Sequence, residues 1–571
     1  ICLMLSDGTN STVDFALHTI TGGRWVQVQS HADGTALAAL AQRLITEAEA
    51  EGVRVVRRVT HPDFDCVTWR YLFRWVRGGT TEPDPSFPVL EQGRPVAPCA
   101  SHDDFVTDEA RAQIFPHVAK YLEENRLTLL ELLHVEASAD LALNAGSLVQ
   151  TTVQRIAVLQ CVGTQKSVAT RVKELDILLT GRMRKLREAS QSGAPFPFRP
   201  GKFGEQIAAI EERHGSDSLF HTYRAFAHYL AGSRSWGDKV ERLFELYEPD
   251  LDPRHAQAFD RLGAEMLAHA STVREVLVVA GRRRVDRVIA HADLLAGRFA
   301  KPLDLLPIGL RAMGKLLIEG SIPRCRAALF DRFVRDIGAR VNLGNENSLY
   351  DEFEALNHLI DHLKTRHPAL HKEPVVVDTI LDRVDRMSHY DRISEYLAGV
   401  KGVAERLDRL LGLGAIAPLP LCRQRIAAHM RALMKAEDLV REYVQPQKDK
   451  ASAIPVLARL GERIVQVGFE PPAEAYLLGV LDTVILDVLK TDVFKARIAP
   501  LERMQKLIRL CTLPPLPPGR ARKVVADAIA AGMASPEFEK SYVDRFPVSQ
   551  DRDQALVKLK DILRDAGLLA A

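Results

Sequence analysis

Three stretches of this chain share one pattern: an apolar helix end, a proline-bearing turn and an arginine-led helix. They read LLIEGSIPRCRAAL around Pro323, LLGLGAIAPLPLCRQRI around Pro420 and LIRLCTLPPLPPGRARKVV around Pro517. The prolines are 97 residues apart in both steps, and each is followed three positions on by an arginine, Arg326, Arg423 and Arg520. Proline ends a helix and fixes the turn after it. An arginine near the next helix start can reach a carbonyl or carboxylate of a neighbour. Repeated use of one device predicts stacked, equivalent positions. Two helix hairpins fit each interval, about 48 residues per hairpin, near the longer α-solenoid periods. The helices between the turns align poorly, so the expected 97-residue repeat rests on the turns.

A chain of 571 residues is too long for one compact core. Residues 1–77 carry the β signal. VDFALHTI and RWVQVQS flank TGG, ALAALAQRLITEAEAE repeats apolar positions at helical spacing, and VRVVRRVT and CVTWRYLFRWV flank HPDFD. That order predicts a small α+β (ββαββ) domain. Residues 78–101 are rich in Pro and Gly without periodicity and read as a linker. Beyond it, 3.6-period patterns predict a helical subdomain over 102–192, a linker over 193–204 (GAPFPFRPGKFG) and a helical-hairpin array over 205–571. The short breaks of the array favour antiparallel neighbours. Aromatic residues are only 6% of the chain, which also favours helices. The expected fold is therefore mainly α: the ββαββ domain, then a large all-helical body of antiparallel hairpins stacked as an irregular α-solenoid or several bundles.

Candidate binding residues are few. Strict alternation in the last predicted strand puts Val67, Trp69, Tyr71, Phe73 and Trp75 on one face, with Arg70 and Arg74 on the other. Exposed, the aromatics would stack bases as single-strand binders do. Covered by the helix, they are core and the arginines are a solvated outer face, which is the expected arrangement. Gly281, Arg282, Arg283 and Arg284, with Arg287 beyond, make the densest basic patch, a phosphate contact or a partner surface. Glu354, His358 and His362 fall at i, i+4 and i+8 of one helix, so they are metal-ligand candidates, with His371 a residue that could close the site. PPLPPGR at 514–520 has the PxxPxR form of a polyproline ligand but is read as an ordered turn. Phe203-Gly204-Glu205 with Arg213 superficially resembles the phosphate-binding cassette of cyclic-nucleotide-binding domains. That cassette lies in a β-roll, and here helical sequence lies on both sides, so Gly204 is read as a helix-start residue.

Known chemical signatures are missing from the sequence. It contains no GxxxxGK[ST], no strand-associated GxGxxG and no GxSxG. The seven cysteines are scattered without a CxxC pair, so neither a disulfide framework nor a zinc module is expected, and a reducing cytoplasm is the expected setting. The start has no basic segment and no window approaches a membrane span. Net charge is +2, so no global field draws the chain to nucleic acid. No cofactor is expected, and an enzyme is the less favoured reading. The leading expectation is a cytoplasmic scaffold or adaptor that grips protein partners through its helical body and assembles with itself. The runner-up is a regulatory protein whose N-terminal sheet binds nucleic acid or a small ligand, and the third is a metal-dependent helical enzyme.

Overall fold

The alternating apolar residues near the N-terminus build a four-stranded antiparallel sheet in the order β2-β1-β3-β4. Its strands are β1 (Thr12–Thr21), β2 (Arg24–His31), β3 (Gly52–His61) and β4 (Cys66–Val76), with helix α1 (Gly34–Thr46) between β2 and β3. The computed structural model describes residues 12–21, 24–47, 50, 52–76, 99–161, 164–233, 235–277, 283–346, 348–495, 498–512, 516–544 and 549–565. The carboxylate of Asp33 caps α1 by accepting the Thr35 N–H at 2.9 Å. Leu37 and Ala41 of α1 then cover Leu17, Val53 and Val55, with Phe15 and Trp75 at the margin.

Strict alternation does not survive in β4. Val55 pairs with Phe73 but Val56 pairs with Tyr71, so Leu72 is the extra residue of a β-bulge. The bulge reverses the faces: Trp75 lies under α1, whereas Trp69 and Tyr71 lie on the opposite face with His18, Arg54 and Arg58. The expectation of one shared aromatic face is therefore wrong, because one inserted residue shifts a period-2 pattern by half its repeat. Arg70 is not a free outer-face charge either, since it pairs with Asp382 of the helical body at 3.7 Å. The side chains of Phe73 and Arg74 lie outside the described ones. The turn between β3 and β4 anchors the sheet to the body. Phe64 is buried against the His371 ring at 5.1 Å, and Asp65 pairs with Lys372 at 2.5 Å.

Helices account for the rest. Those that position the features below are α2 (Asp108–Asn125), α3 (Leu129–His134), α4 (Trp236–Glu245), α5 (Pro253–Leu267), α6 (Ala270–Leu277), α7 (Arg284–Leu295) and α8 (Ile308–Glu319). They are followed by α9 (Pro323–Gly338), α10 (Leu349–Arg366), α11 (Pro374–Met387), α12 (Pro420–Leu433), α13 (Pro471–Val488) and α14 (Arg520–Met533). α5, α9, α11, α12, α13 and α14 pack each on the next, so they make one row through the body, and β4 rests on α11. The largest of five buried apolar clusters among the described residues runs from Phe64 to Leu563. Close crossings need small residues: a Cβ on Gly309 of α8 would lie 1.8 Å from the Glu241 carbonyl oxygen of α4.

Of the predicted linkers, residues 78–98 lie outside the described residues. Cys99 is already packed, its carbonyl accepting Arg171 Nη2 at 2.8 Å. Residues 193–202 have no regular structure yet are tied down: Phe198 is buried against Phe203 and Phe226, and Arg224 donates to the Gly193 carbonyl at 3.0 Å. Gly204 does stand at a helix start, its N–H donating to the Glu248 carboxylate at 3.1 Å.

The proline turns are not equivalent. Pro323 and Pro420 are the first residues of their helices, whereas Pro517 lies three residues before Arg520 opens α14. Among the described residues the arginine side chains make none of the predicted neighbour hydrogen bonds or ion pairs either. Arg326 and Arg520 are exposed and Arg423 is half-buried, and at the first and third turns an acidic residue from the preceding helix of the row does the joining instead. Asp260 of α5 accepts the Arg324 and Cys325 N–H groups at 3.0 and 2.8 Å, and Asp482 of α13 accepts those of Arg520 and Ala521 at 3.0 and 2.8 Å. Such a carboxylate satisfies amides the helix cannot and complements its dipole, for typically about 1 kcal/mol. A Cβ on Gly519 would lie 2.5 Å from Asp482 Oδ1, so the second cap requires glycine there.

Several histidines are buried neutral. Burial, and next the nearby Arg182, holds the His134 imidazole well below its usual 6.5, and burial lowers that of His269, which stacks on Trp236 at 4.7 Å. The unfolded chain takes up protons near that usual value and the folded chain does not. Stability is therefore complete above it and falls as pH drops through it. Thermal unfolding midpoints are expected to be flat between about pH 7 and 8 and to fall steadily between about pH 6.5 and 5. A midpoint unchanged down to about pH 5 would contradict neutral burial of these rings.

Among the described residues no helix is long and apolar enough to cross a membrane. Cys66, Cys99, Cys161, Cys325 and Cys422 are free thiols, and burial pushes that of Cys422 up to about 12. It is no ready nucleophile at neutral pH.

Candidate functional site

The basic patch read in the sequence is the near edge of a larger arrangement. α6, α7 and α9 enclose a cavity of about 260 Å³ lined by Arg274, Arg284, Arg287, Arg332, His291 and Asp336, over a floor that includes Val273 and Val288. Helical spacing places Arg284, Arg287 and His291 of α7 on one face, at i, i+3 and i+7. Arg332 and Asp336 of α9 sit one turn apart and bond to each other. Arg274 enters from α6.

The electrostatics of this cavity are unbalanced. Asp336 is the acidic residue lining it, against four guanidinium groups. Burial works to raise the Asp336 carboxyl, but His291 and Arg332 outweigh it and hold the group below its ordinary value. Burial, and then crowding by Arg287, Arg332 and Arg274, lowers the Arg284 guanidinium despite the opposing pull of Asp336. Arg284 and Arg287 make no hydrogen bond or ion pair among the described residues. His291 is 1% exposed, its ring edge-on to Phe333, and neither ring nitrogen has a hydrogen-bond partner. Its Nδ1 is 3.6 Å from Asp336 Oδ2, beyond hydrogen-bond range. Arg332 Nε is likewise unpartnered. Buried donors without partners and a cluster of like charges are both costly, and an anion in the cavity would offset the charge of the guanidinium groups.

Of the predicted patch, Arg282 lies outside the described residues and Arg283 turns away to pair with Asp286 at 3.2 Å. Arg284 and Arg287 are the members that line the cavity. Arg274 and Arg332 are missed by sequence reading because Arg274 is the lone arginine of α6 and Arg332 is one of four spaced along α9, so neither belongs to a basic run. The signal that could have found them is arginine at the same helical phase as the apolar core stripe.

On the open face of the sheet, the Arg54 guanidinium lies 4.7 Å from the Trp25 ring centre and 5.7 Å from that of Tyr71, and Arg58 lies 5.7 Å from Trp69. Arg58 also pairs with Asp14 and donates to Gln27 at 3.0 Å. Each cation covers a ring face above the buried Ala16 and Val56, while Tyr71 remains 39% exposed.

The predicted metal helix is α10, and only part of the prediction converges. Glu354 and His358 are exposed and do not join the cluster that His362 forms. His371 sits against Phe64 instead of closing the site. His362 meets two residues the periodicity did not offer, Asp293 of α7 and His367.

No family model, curated protein or solved structure matches this chain.

Proposed function

We propose that this is a regulatory protein that binds a small phosphate-bearing ligand in the arginine cavity between α6, α7 and α9. The observation that carries this reading is the buried His291, whose ring nitrogens make no hydrogen bond and whose Nδ1 stands 3.6 Å from Asp336, beside four arginines and one carboxylate among the described lining residues. A volume near 260 Å³ is slightly below the roughly 300–1,000 Å³ of drug-sized sites, which suits one or two phosphoryl groups better than an extended cofactor. α9 belongs to the packed row of helices, so tightening the cavity bears on that row directly. The ligand site of the runner-up expectation thus moves from the sheet to the body.

Calorimetric titration with inorganic pyrophosphate at fixed salt tests this. Saturable binding is expected, weakened about tenfold or more in Arg284→Gln, since a charge-assisted hydrogen bond contributes about 1.5–3 kcal/mol. Arg326→Gln, an exposed arginine outside the cavity, is expected to bind as the parent does. Equal, weak binding by all three proteins would remove the proposal, because it would reflect diffuse surface charge.

The scaffold reading is the second, and the row from α5 to α14 favours it, since side-by-side helices present an extended surface. Recovery of a stoichiometric partner on affinity capture of tagged protein, lost when row-surface side chains are changed, is its expected result.

A further inference from the structure

α7 carries a second constellation on the side away from its arginines. Asp293 follows His291 by two residues, about 200° around the helix, and so points toward α10. Its Oδ1 lies 3.2 Å from His362 Nε2 and 2.7 Å from His367 Nε2. All three donor atoms lie within 4.8 Å of one another.

The chain path explains the convergence. On a continuous helix, residues five apart point about 140° away from each other. α10 stops at Arg366, because Pro368 disfavours helical backbone at the residue before it. His367 accordingly sits at φ −136°, ψ 59°, at the helix end, which lets its ring come to 5.5 Å from that of His362. The helix break is thus what makes a histidine pair out of an unfavourable spacing.

We propose that Asp293, His362 and His367 form a site for a divalent transition-metal ion of the zinc class. Zinc takes imidazole nitrogen at about 2.0–2.1 Å and carboxylate oxygen at about 2.0–2.2 Å, so donors around a tetrahedral ion stand about 3.3 Å apart. The 3.2 Å separation already matches, and the 2.7 Å one opens by side-chain rotation. Two neutral imidazoles with one carboxylate is a common three-ligand set that leaves a coordination position for water. His367 is 5% exposed, while His362 at 19% and Asp293 at 30% leave an approach from solvent. A bound ion would tie α7 to the end of α10. No side chain is shared with the arginine cavity, so the two proposals stand or fall separately.

Cobalt(II) titration of the full chain, followed by visible absorption, is the test. One equivalent is expected to give the intense bands of a four-coordinate site, displaced by zinc, and zinc is expected to raise the thermal unfolding midpoint. His362→Gln, at a partly exposed position, is expected to weaken cobalt binding at least about 100-fold, since losing even an outer-shell partner costs about 10–100-fold. Asp293→Asn is expected to do the same and to abolish the zinc-induced midpoint shift. Circular dichroism establishes that both variants fold. Absence of binding to the parent chain, or binding that both variants retain in full, overturns the assignment, with the remaining histidines and thiols as the source of any retained binding.

Discussion

Replacement of Arg383 by alanine is expected to destabilise the helical body by about 3–5 kcal/mol. Arg383 of α11 is 3% exposed and its guanidinium donates to three backbone carbonyls and one carboxylate. Nη1 donates to the carbonyls of Ile337 and Ala339, both at 2.7 Å, and Nη2 to the Val341 carbonyl at 2.8 Å and to Glu352 Oε1 at 2.6 Å. Those carbonyls close the C-terminus of α9 and the segment after it, where the backbone turns to φ −61°, ψ 144° at Ala339 and no left-handed cap follows. A helix end left this way exposes carbonyls that need donors. Alanine would orphan them and leave the Glu352 carboxylate, itself 9% exposed, as an unpaired buried charge. Lysine restores the charge but not the planar fork that reaches several acceptors, so Arg383→Lys is expected to recover a minor part. The readout is the shift of the unfolding transition in denaturant. A loss below about 1 kcal/mol for alanine would mean that water reaches these carbonyls and that the guanidinium is dispensable.

That arginine also shows what local sequence reveals. The ββαββ order, the helical body and the turn positions were legible because each follows from periodicity within a few residues: alternation in Val13, Phe15 and Leu17, helical spacing in Leu37 and Ala41, proline at Pro323 and Pro420. Failures came where one residue or one distant partner decides. Leu72 bulges and turns Trp69 and Tyr71 to the other face, although nothing in CVTWRYLFRWV marks it. Asp260 and Asp482 accept helix-start amides that lie 64 and 38 positions later, a distance at which no pattern is visible. The arginine cavity draws on three helices and only its α7 edge forms a run in sequence. At the metal cluster His362 was found, but the i, i+4 template assumed an unbroken helix. His-Pro at 367–368 was the available sign that the helix ends and that the partner histidine lies beyond it.

Lys239→Ala is expected to cost a similar 3–5 kcal/mol, and the partner substitution reveals why. Lys239 of α4 and Glu131 of α3 are 2% and 1% exposed, and the ammonium lies 2.5 Å from both carboxylate oxygens. Burial pulls the Lys239 ammonium below its usual value, with Glu131 opposing, so the pair repays desolvation only while both members are present. Removing the cation alone strands a carboxylate among apolar groups. Glu131 has a second task, because Oε2 accepts the Thr128 N–H at 2.7 Å as the far half of a capping box at the start of α3. Glu131→Leu in the Lys239→Met background would therefore lose the cap, whereas Glu131→Gln keeps an acceptor for that amide. The double variant Lys239→Met with Glu131→Gln is accordingly expected to fall within about 1–2 kcal/mol of the parent, well above Lys239→Ala, as buried pairs replaced together usually do. The pair joins α3 to α4 across 108 residues of sequence, so hydrogen exchange at α3 is expected to accelerate in Lys239→Ala and to recover in the double variant. A double variant no more stable than Lys239→Ala would show that the ion pair itself, and not relief of a stranded charge, holds the two helices together.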